Sequence, residues 1–412
     1  MHKPQYFNRN FLLLWQGNLF SKLGDILYSI AIGIWVFDKT GSTALMGLMS
    51  SISLFIAGFF SPLCGAIADR KNRRNIIVIT DALRGIAMII LGILAINGKM
   101  EVWMVLAVAA LAGFCNVFFS PAAATVVSLI LKPQDLLAGQ CFVEGSNSLV
   151  QMIAKAVSGG LVVMFGVPTM ILINGISFLI SAFSEIFIQV PKSSIEKKKL
   201  NASMIVQDMK EAFIYVANRK GLLPLMSAAF TLNLLGSGLG SILYPFLLEK
   251  GFTVTEYGWF LSIESAAAFA AVSLLSFVKL KHKKSIIMCT CMVLTTILNI
   301  AMIIAKGFLT VNIINLLAVF FNVVFNSMLN ASLILSIEEQ KRGKVLGMVI
   351  SFSSLGQAAS SLLYGCVAGI LGSVNGSLFI TALTVIPTVW FVFNRSIISL
   401  LDEDPEKTIA KA

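Results

Sequence analysis

The sequence contains little charge. Of its 412 residues, 12% are Asp, Glu, Lys or Arg, whereas 57% are hydrophobic and the mean hydropathy is +0.88. Soluble domains carry about 25% charged residues, so this chain has about half of the charge that a water-exposed surface requires. This shortage excludes a cytosolic enzyme, a secreted disulfide scaffold and a disordered protein.

The sequence also lacks the groups that catalysis and cofactor binding require. It has no G-x-x-x-x-G-K-[ST] phosphate-binding loop, and its two histidines, His2 and His282, stand alone in polar segments. The cysteines form no C-x-x-C pair and all lie in apolar stretches, which disfavours a disulfide or a zinc site. They are Cys64, Cys115, Cys141, Cys289, Cys291 and Cys366. We therefore expect no enzyme activity, no cofactor and no metal.

Long apolar stretches recur from one end of the chain to the other. A helix of about 20 apolar residues spans the roughly 30 Å hydrocarbon core of a bilayer, and helices satisfy their own backbone groups there. The sequence therefore predicts an all-α membrane protein with twelve transmembrane helices. The predicted spans are 11–37, 44–68, 75–97, 102–130, 138–165, 168–190, 222–248, 254–279, 285–305, 309–337, 344–371 and 374–394.

The basic residues predict the orientation. Of the 31 Lys and Arg residues, 24 fall in the two termini and in every second loop, whereas four fall in the other loops. Loops rich in Lys and Arg stay on the cytoplasmic side, so both termini are expected to be cytoplasmic. The net charge of +11 is therefore a signal of membrane topology, and we expect no nucleic-acid partner.

The chain divides into two similar halves. Residues 47–53 are similar to 258–264, and residues 116–119 are similar to 322–325, which indicates a parallel repeat. Between the halves, apolar residues recur at helical spacing and favour an amphipathic helix on the inner leaflet, although a solvated linker stays open. We expect an N-terminal six-helix bundle at 1–190, a cytoplasmic linker at 191–220, a C-terminal six-helix bundle at 221–395 and a cytoplasmic tail at 396–412.

A short motif follows the second predicted helix. Residues 65–74 read Gly-Ala-Ile-Ala-Asp-Arg-Lys-Asn-Arg-Arg, which resembles the G-x-x-x-D-R-x-x-R-R signature of the major facilitator superfamily. The resemblance implies two pseudo-symmetric six-helix bundles. It also implies that the motif residues act as a conformational gate between them: Gly65, Asp69, Arg70, Arg73 and Arg74.

Further segments resemble the macrolide-efflux-like and enterobactin-exporter-like group of that superfamily. They are residues 10–15, 21–25, 37–42, 120–122, 244–245 and 343–345. The resemblance implies a monomeric secondary active transporter of a bacterial cell membrane, surrounded by lipid. Such a protein exports an amphipathic small molecule or drug by alternating access in antiport with protons or another ion, and it is associated with multidrug resistance.

Two positions depart from the patterns of proton antiporters. Ala112 stands where proton-coupled relatives often carry Arg in the fourth helix, and Lys155 stands where the fifth helix usually has Pro. These departures leave open an importer or a lysophospholipid-type flippase of the same fold. A non-transporting membrane receptor or scaffold is the alternative from another class.

Ionisable residues within the predicted spans are candidates for the coupling chemistry. A charged side chain costs about 2.5–3.5 kcal/mol at the bilayer centre on insertion scales, so these residues should face protein or water. Asp25, Glu264 and Glu144 are the proton-coupling candidates, with structural pairing as the alternative for each. Asp81 and Arg84 are three residues apart and predict a local ion pair. Glu185 falls near a helix end, where we expect it to reach the headgroups.

Neutral polar residues also recur at helical spacing. Asn322 and Asn326 follow one another on a single face of the tenth predicted helix, which favours either a cavity lining or hydrogen bonds between helices. The predicted cavity residues are Asn116, Gln151, Lys155, Asn233, Asn322, Asn326 and Gln357.

Overall fold

A computed structural model describes residues 8–68, 72–132, 135–189, 210–211, 213–219, 221–277 and 284–402 of the chain. All secondary structure in these described residues is helical. The α-helices are α1 (Arg9–Thr40), α2 (Thr43–Ala68), α3 (Arg73–Ile96), α4 (Val102–Ile130), α5 (Leu136–Ile186), α6 (Leu222–Gly236), α7 (Leu243–Glu249), α8 (Val254–Phe277), α9 (Lys284–Ile304), α10 (Phe308–Ser336), α11 (Glu339–Leu371), α12 (Ser373–Leu383), α13 (Val385–Phe393) and α14 (Arg395–Leu401). A 3₁₀ turn, Gly238–Ile242, separates α6 from α7.

The described residues contain eleven helical segments that are long and apolar enough to cross a membrane. One of them, α5, is broken at Gly166, whose backbone is non-helical with φ 77° and ψ 162°. Glycine tolerates this positive φ, and Pro168 then restarts a helix. The break gives two arms, α5a (residues 136–165) and α5b (residues 167–186). The prediction of an all-α membrane protein with twelve transmembrane helices is confirmed.

Two of these membrane-crossing segments are not single α-helices. The segment Leu222–Glu249 contains α6, the 3₁₀ turn and α7, and the segment Ser373–Phe393 contains α12 and α13. The 3₁₀ turn brings Gly238 next to α11, and its backbone N–H donates a hydrogen bond to Ser360 Oγ at 2.8 Å. This irregular backbone lies in the half of the sequence that also contains the cavity described below.

One compact unit comprises the described residues of Met1–Gly41, Ile52–Asn201 and Val254–Ser262. In this unit, α1 and α3 pack against α5, and α3 also packs against α4. Gly17 of α1 lies so close to α5b that an added Cβ would sit 2.7 Å from Ser181 Oγ. Small residues at the contact allow two membrane helices to approach closely.

A second compact unit comprises the described residues of Ser42–Ser51, Ala202–Thr253 and Ile263–Ala412. Here α9 packs against α10, and α11 packs against α6 and the 3₁₀ turn. The buried residues Ile397, Leu400 and Leu401 of α14 join the apolar core of this unit. The predicted tail, 396–412, therefore begins with a packed helix, while 403–412 lie outside the described residues.

Each compact unit includes one short segment from the other half of the sequence. In the first unit, Gly258 of α8 packs against Gly159 of α5a, and a Cβ at Gly159 would lie 2.9 Å from the Val254 carbonyl oxygen. In the second unit, Gly47 of α2 packs against Gly365 of α11, and Thr43 Oγ1 donates a 2.8 Å hydrogen bond to the Gly365 carbonyl. Gly47 and Gly258 are equivalent positions of the predicted repeat.

Most of the predicted linker, 191–220, lies outside the described residues. Residues 213–218 are helical, with Val216 buried and Phe213 exposed. The amphipathic helix and the domain boundaries remain predictions.

The close contact of α5a with α8 yields a test with a matched control. We expect Gly159→Ala to lower the free energy of unfolding by about 1–3 kcal/mol, because the new methyl group overpacks a backbone contact. Gly160 has no neighbour within 4 Å of an added Cβ, so Gly160→Ala should be neutral or stabilise the helix by up to about 1 kcal/mol. Thermal unfolding of the purified variants measures both effects, and equal melting temperatures would contradict the packing described here.

Candidate functional site

A cavity of about 250 Å³ lies within the second compact unit. Its walls come from α6, the 3₁₀ turn and α9 to α12, and they have an apolar side that includes Leu232, Met292 and Phe325. The polar lining residues are Asn233, Ser237, Thr295, Thr296, Asn299, Asn322, Asn326, Tyr364, Thr381 and Thr384. None of the described lining residues is charged, so they offer hydrogen bonds without an ionic partner.

Several cavity amides keep unused hydrogen-bonding groups. Asn233 donates through Nδ2 to the Ala229 carbonyl at 2.9 Å, which leaves its Oδ1 as an acceptor. Asn326 donates to the carbonyl and to the side-chain oxygen of Asn322, at 2.9 and 3.0 Å. The Asn299 side chain makes no hydrogen bond to another described residue. Because an amide carries two donor hydrogens and an acceptor oxygen, these side chains can bind a ligand with mixed polar groups.

One wall of the cavity is held rigidly. The buried Tyr364 hydroxyl contacts the Leu235 carbonyl oxygen and Thr381 Oγ1, each at 2.9 Å. Since this hydroxyl already has two hydrogen-bond partners, Tyr364 holds the wall of the cavity in place and is less available to bind a ligand.

A cluster of ionisable residues is buried in the first compact unit. Asp81 and Arg84, one turn apart on α3, form an ion pair, and both side chains are almost completely buried. The Arg84 guanidinium lies between two rings, 4.8 Å from the centroid of Phe119 on α4 and 4.4 Å from that of Phe178 on α5b. Because Arg stays charged even when buried, Asp81 and these rings hold its charge in place.

Two further carboxyl groups belong to this cluster. Asp25 of α1 is half-buried and accepts a 3.3 Å hydrogen bond from Asn174 Nδ2. Glu185 of α5b is 0% exposed, and its Oε1 accepts a 3.4 Å hydrogen bond from Ser181 Oγ. The expectation that Glu185 reaches the headgroups is wrong, because close packing of α1 on α5b covers the end of this helix.

The structure brings some of the predicted site residues together and leaves others apart. Of the predicted cavity residues, Asn233, Asn322 and Asn326 line the cavity. Gln357 lies on α11 outside the lining, and the remaining three fall in the first compact unit: Asn116, Gln151 and Lys155. The role of each in binding stays a prediction.

The three proton-coupling candidates lie in different surroundings. Asp25 is part of the buried cluster, Glu144 is exposed on α5a, and Glu264 is half-buried on α8. Lys22, one turn before Asp25, is exposed. The buried cluster therefore contains only Asp25 among these candidates.

The predicted gate motif is described in part. Gly65 lies in α2, Arg73 is buried at the start of α3, and Arg74 is half-buried beside it. Asp69 and Arg70 lie outside the described residues. The gating role of these five residues stays a prediction.

Several site residues escaped the sequence analysis, among them the lining residues Thr295, Thr296, Asn299, Tyr364, Thr381 and Thr384. Asn299 stands four residues after Thr295, and this spacing within an apolar helix was a usable signal for a polar face of α9. Glu185 gave no signal of burial in the sequence, because its position four residues beyond Ser181 fits an interfacial residue equally well.

The membrane-crossing segments of the described residues and a polar cavity within the second compact unit are typical of a small-molecule membrane transporter. Residues 14–277 match the sequence model of the Major Facilitator Superfamily. This match covers more than half of the chain, so the protein belongs to that superfamily.

Relatives with assigned names include exporters. Macrolide efflux protein A of Streptococcus pyogenes is 24% identical over 226 residues, which cover 55% of this chain and 56% of that protein. Multidrug resistance protein MdtG of Escherichia coli (strain SMS-3-5 / SECEC) is 20% identical over 380 residues, or 90% of each chain. The chain thus matches little more than half of the length of the macrolide efflux protein.

The fold is also similar to solved transporter structures. A bacterial homologue of the human lysosomal transporter Spinster, in an inward-facing and occupied conformation, aligns over 98% of this chain and 100% of that chain, with a TM-score of 0.76 and 13% identity. This likeness supports the fold and leaves the cargo undefined.

The buried ion pair yields a second test. We expect Arg84→Met to destabilise the protein by about 3–5 kcal/mol, because it leaves the Asp81 carboxylate buried without a partner. The additional change Asp81→Asn should restore part of this loss, whereas Lys22→Met, at the exposed lysine of α1, should have little effect. Thermal unfolding in detergent measures the stability of the unmodified protein and of the three variants. An Arg84→Met protein as stable as Lys22→Met would refute the importance of the pair.

Proposed function

We propose that this transporter exports an amphipathic small molecule across a bacterial cell membrane in exchange for protons. The uncharged cavity of the second compact unit is the observation that carries this proposal. Its amide and hydroxyl groups bind the polar side of a molecule, while Leu232, Met292 and Phe325 bind an apolar side. The name of the streptococcal relative points to macrolides as the first compounds to test.

The cavity also restricts the part of the cargo that it binds. A charged group in an apolar interior needs an opposite charge, and none lines this cavity. Its volume of about 250 Å³ is slightly smaller than the roughly 300–1,000 Å³ of drug-sized sites. We therefore propose that it binds an uncharged portion of a larger molecule.

Alternating access requires the two halves of the sequence to move relative to one another. The glycine contacts Gly47–Gly365 and Gly159–Gly258 join segments of different halves, so such a movement must open them. Their lack of side chains lets the segments pack and separate without interlocking. This supports a rocking movement of the halves as the transport step.

Among the three predicted carboxyl groups, Asp25 has the strongest support as a proton-coupling residue. It lies beside the Asp81–Arg84 pair. Gain or loss of a proton on Asp25 therefore changes its electrostatic interaction with that pair. Glu144 is exposed and Glu264 is half-buried, and both remain candidates.

An accumulation assay tests direction and energy source together. Cells that express the protein should accumulate less radiolabelled macrolide than cells with an empty vector, and an uncoupler of the proton gradient should remove the difference. Higher accumulation would indicate an importer. Transport of a fluorescent lysophospholipid, and not of macrolides, would indicate a flippase. No transport of either compound would favour a non-transporting membrane receptor or scaffold.

A matched pair on α10 tests the cavity in the same assay. Asn326→Leu should raise the KM for export about tenfold, because loss of one hydrogen bond to the cargo costs about 1.4 kcal/mol. Asn330, one turn further along α10, is exposed and lies outside the lining, so Asn330→Leu should leave KM unchanged. Equal KM values for the two variants would contradict the proposed binding site.

A further inference from the structure

The buried cluster of the first compact unit contains more acid than base. Asp81, Glu185 and Asp25 provide three carboxyl groups, while Arg84 provides one positive charge among them. The ion pair with Asp81 balances that charge. Because an isolated carboxylate is very costly to bury, the cluster is stable when protons neutralise the excess acid.

Glu185 has few hydrogen-bond partners for a buried carboxyl group. It is 0% exposed, its Oε2 has no hydrogen-bond partner among the described residues, and its Oε1 has one long contact of 3.4 Å with Ser181 Oγ. Because a buried carboxylate that lacks hydrogen-bond donors is costly, a proton on Glu185 lowers the cost of burying this group.

The position of Glu185 in its helix disfavours the ionised form further. Glu185 is the penultimate residue of α5, next to the last carbonyl groups of the helix. The C-terminal end of a helix carries a partial negative charge that repels an anion. Asp81, packed against α5b from α3, adds a second negative charge nearby.

The titratable neighbours on the other helices do not supply the missing positive charge. On α1, neither Asp25 nor Tyr28 carries a positive charge. Lys22, one turn before Asp25, is exposed. From α4, the buried Cys115 contributes a thiol. Among the described residues, Arg84 is the one cation that acts on Glu185, and it is bonded to Asp81.

We propose that Glu185, with Asp81 and Arg84, forms a proton-binding site of the transporter, in addition to Asp25. When a proton binds, an O–H bond forms on the Glu185 carboxylate, and Arg84 stays with Asp81. When the proton leaves, the O–H bond breaks and Arg84 is shared by two carboxylates. The released proton passes to water. Use of this site in transport rests on the proton coupling proposed above.

Infrared spectroscopy of the purified protein in lipid nanodiscs tests the site without any cargo. A pH titration records the carbonyl stretching band of protonated carboxyl groups. Glu185→Gln should remove one titrating band, and Ser181→Ala should shift this band without removing it. The control Glu101→Gln changes an exposed carboxyl group before α4 and should leave the band assigned to Glu185 unchanged. A titration of Glu185→Gln identical to the unmodified protein would overturn the proposal.

Transport into proteoliposomes tests the use of the site. A pH gradient should drive transport by the Glu101→Gln protein but not by Glu185→Gln, which should still exchange labelled for unlabelled cargo. That retained exchange, with an unchanged elution volume in size-exclusion chromatography, shows that the variant is folded. An unchanged response of Glu185→Gln to the gradient would overturn the coupling role. If the unmodified protein moves no cargo, the proposed function fails, and the infrared titration alone decides whether Glu185 binds a proton.

Discussion

The buried guanidinium of Arg84 is the constraint on which the first compact unit depends. Arg cannot lose its proton to escape an apolar environment, so the fold must supply a carboxylate and exclude lipid from both. Asp81 supplies that charge, and the rings of Phe119 and Phe178 cover the guanidinium. The close approach of α1 to α5b, made possible by Gly17, then places Ser181 and Glu185 in the same closed space. Close packing of the helices and burial of the ionisable cluster therefore depend on each other in this unit.

The two compact units solve different chemical problems. The first buries an arginine with three carboxyl groups, which is an arrangement suited to binding and releasing protons. The second surrounds its cavity with amides and hydroxyls, and the described lining contains no charged side chain.

Much of the fold followed from the sequence. Apolar runs of about 20 residues leave helices as the available structure in lipid, and the Gly166–Pro168 break was expected between the fifth and sixth spans. The Asp81–Arg84 pair is local, so residue spacing alone predicts it. The recurrence of Asn322 and Asn326 likewise placed two residues on the face of α10 that lines the cavity.

The parts that escaped prediction depend on contacts between distant segments. Glu185 is buried where α1 and α3 pack against α5, and no pattern within α5b shows this. Asn299 belongs to the cavity because α9 packs against α10. Ile397 and Leu400 form a packed helix because the core of the second unit accepts them, although their position near the end of the sequence suggested a tail.

The central claim is that cargo is exchanged for protons, and its sharpest test uses a cargo that carries no net charge. Such an exchange moves net positive charge in the direction opposite to the cargo, so the membrane potential must drive it. The most direct measurement is cargo transport in proteoliposomes with a potassium diffusion potential imposed at equal pH on both sides. The account predicts that reversing the sign of the potential reverses the direction of net cargo movement. Transport that is insensitive to the potential, while it still responds to a pH gradient, would contradict the account.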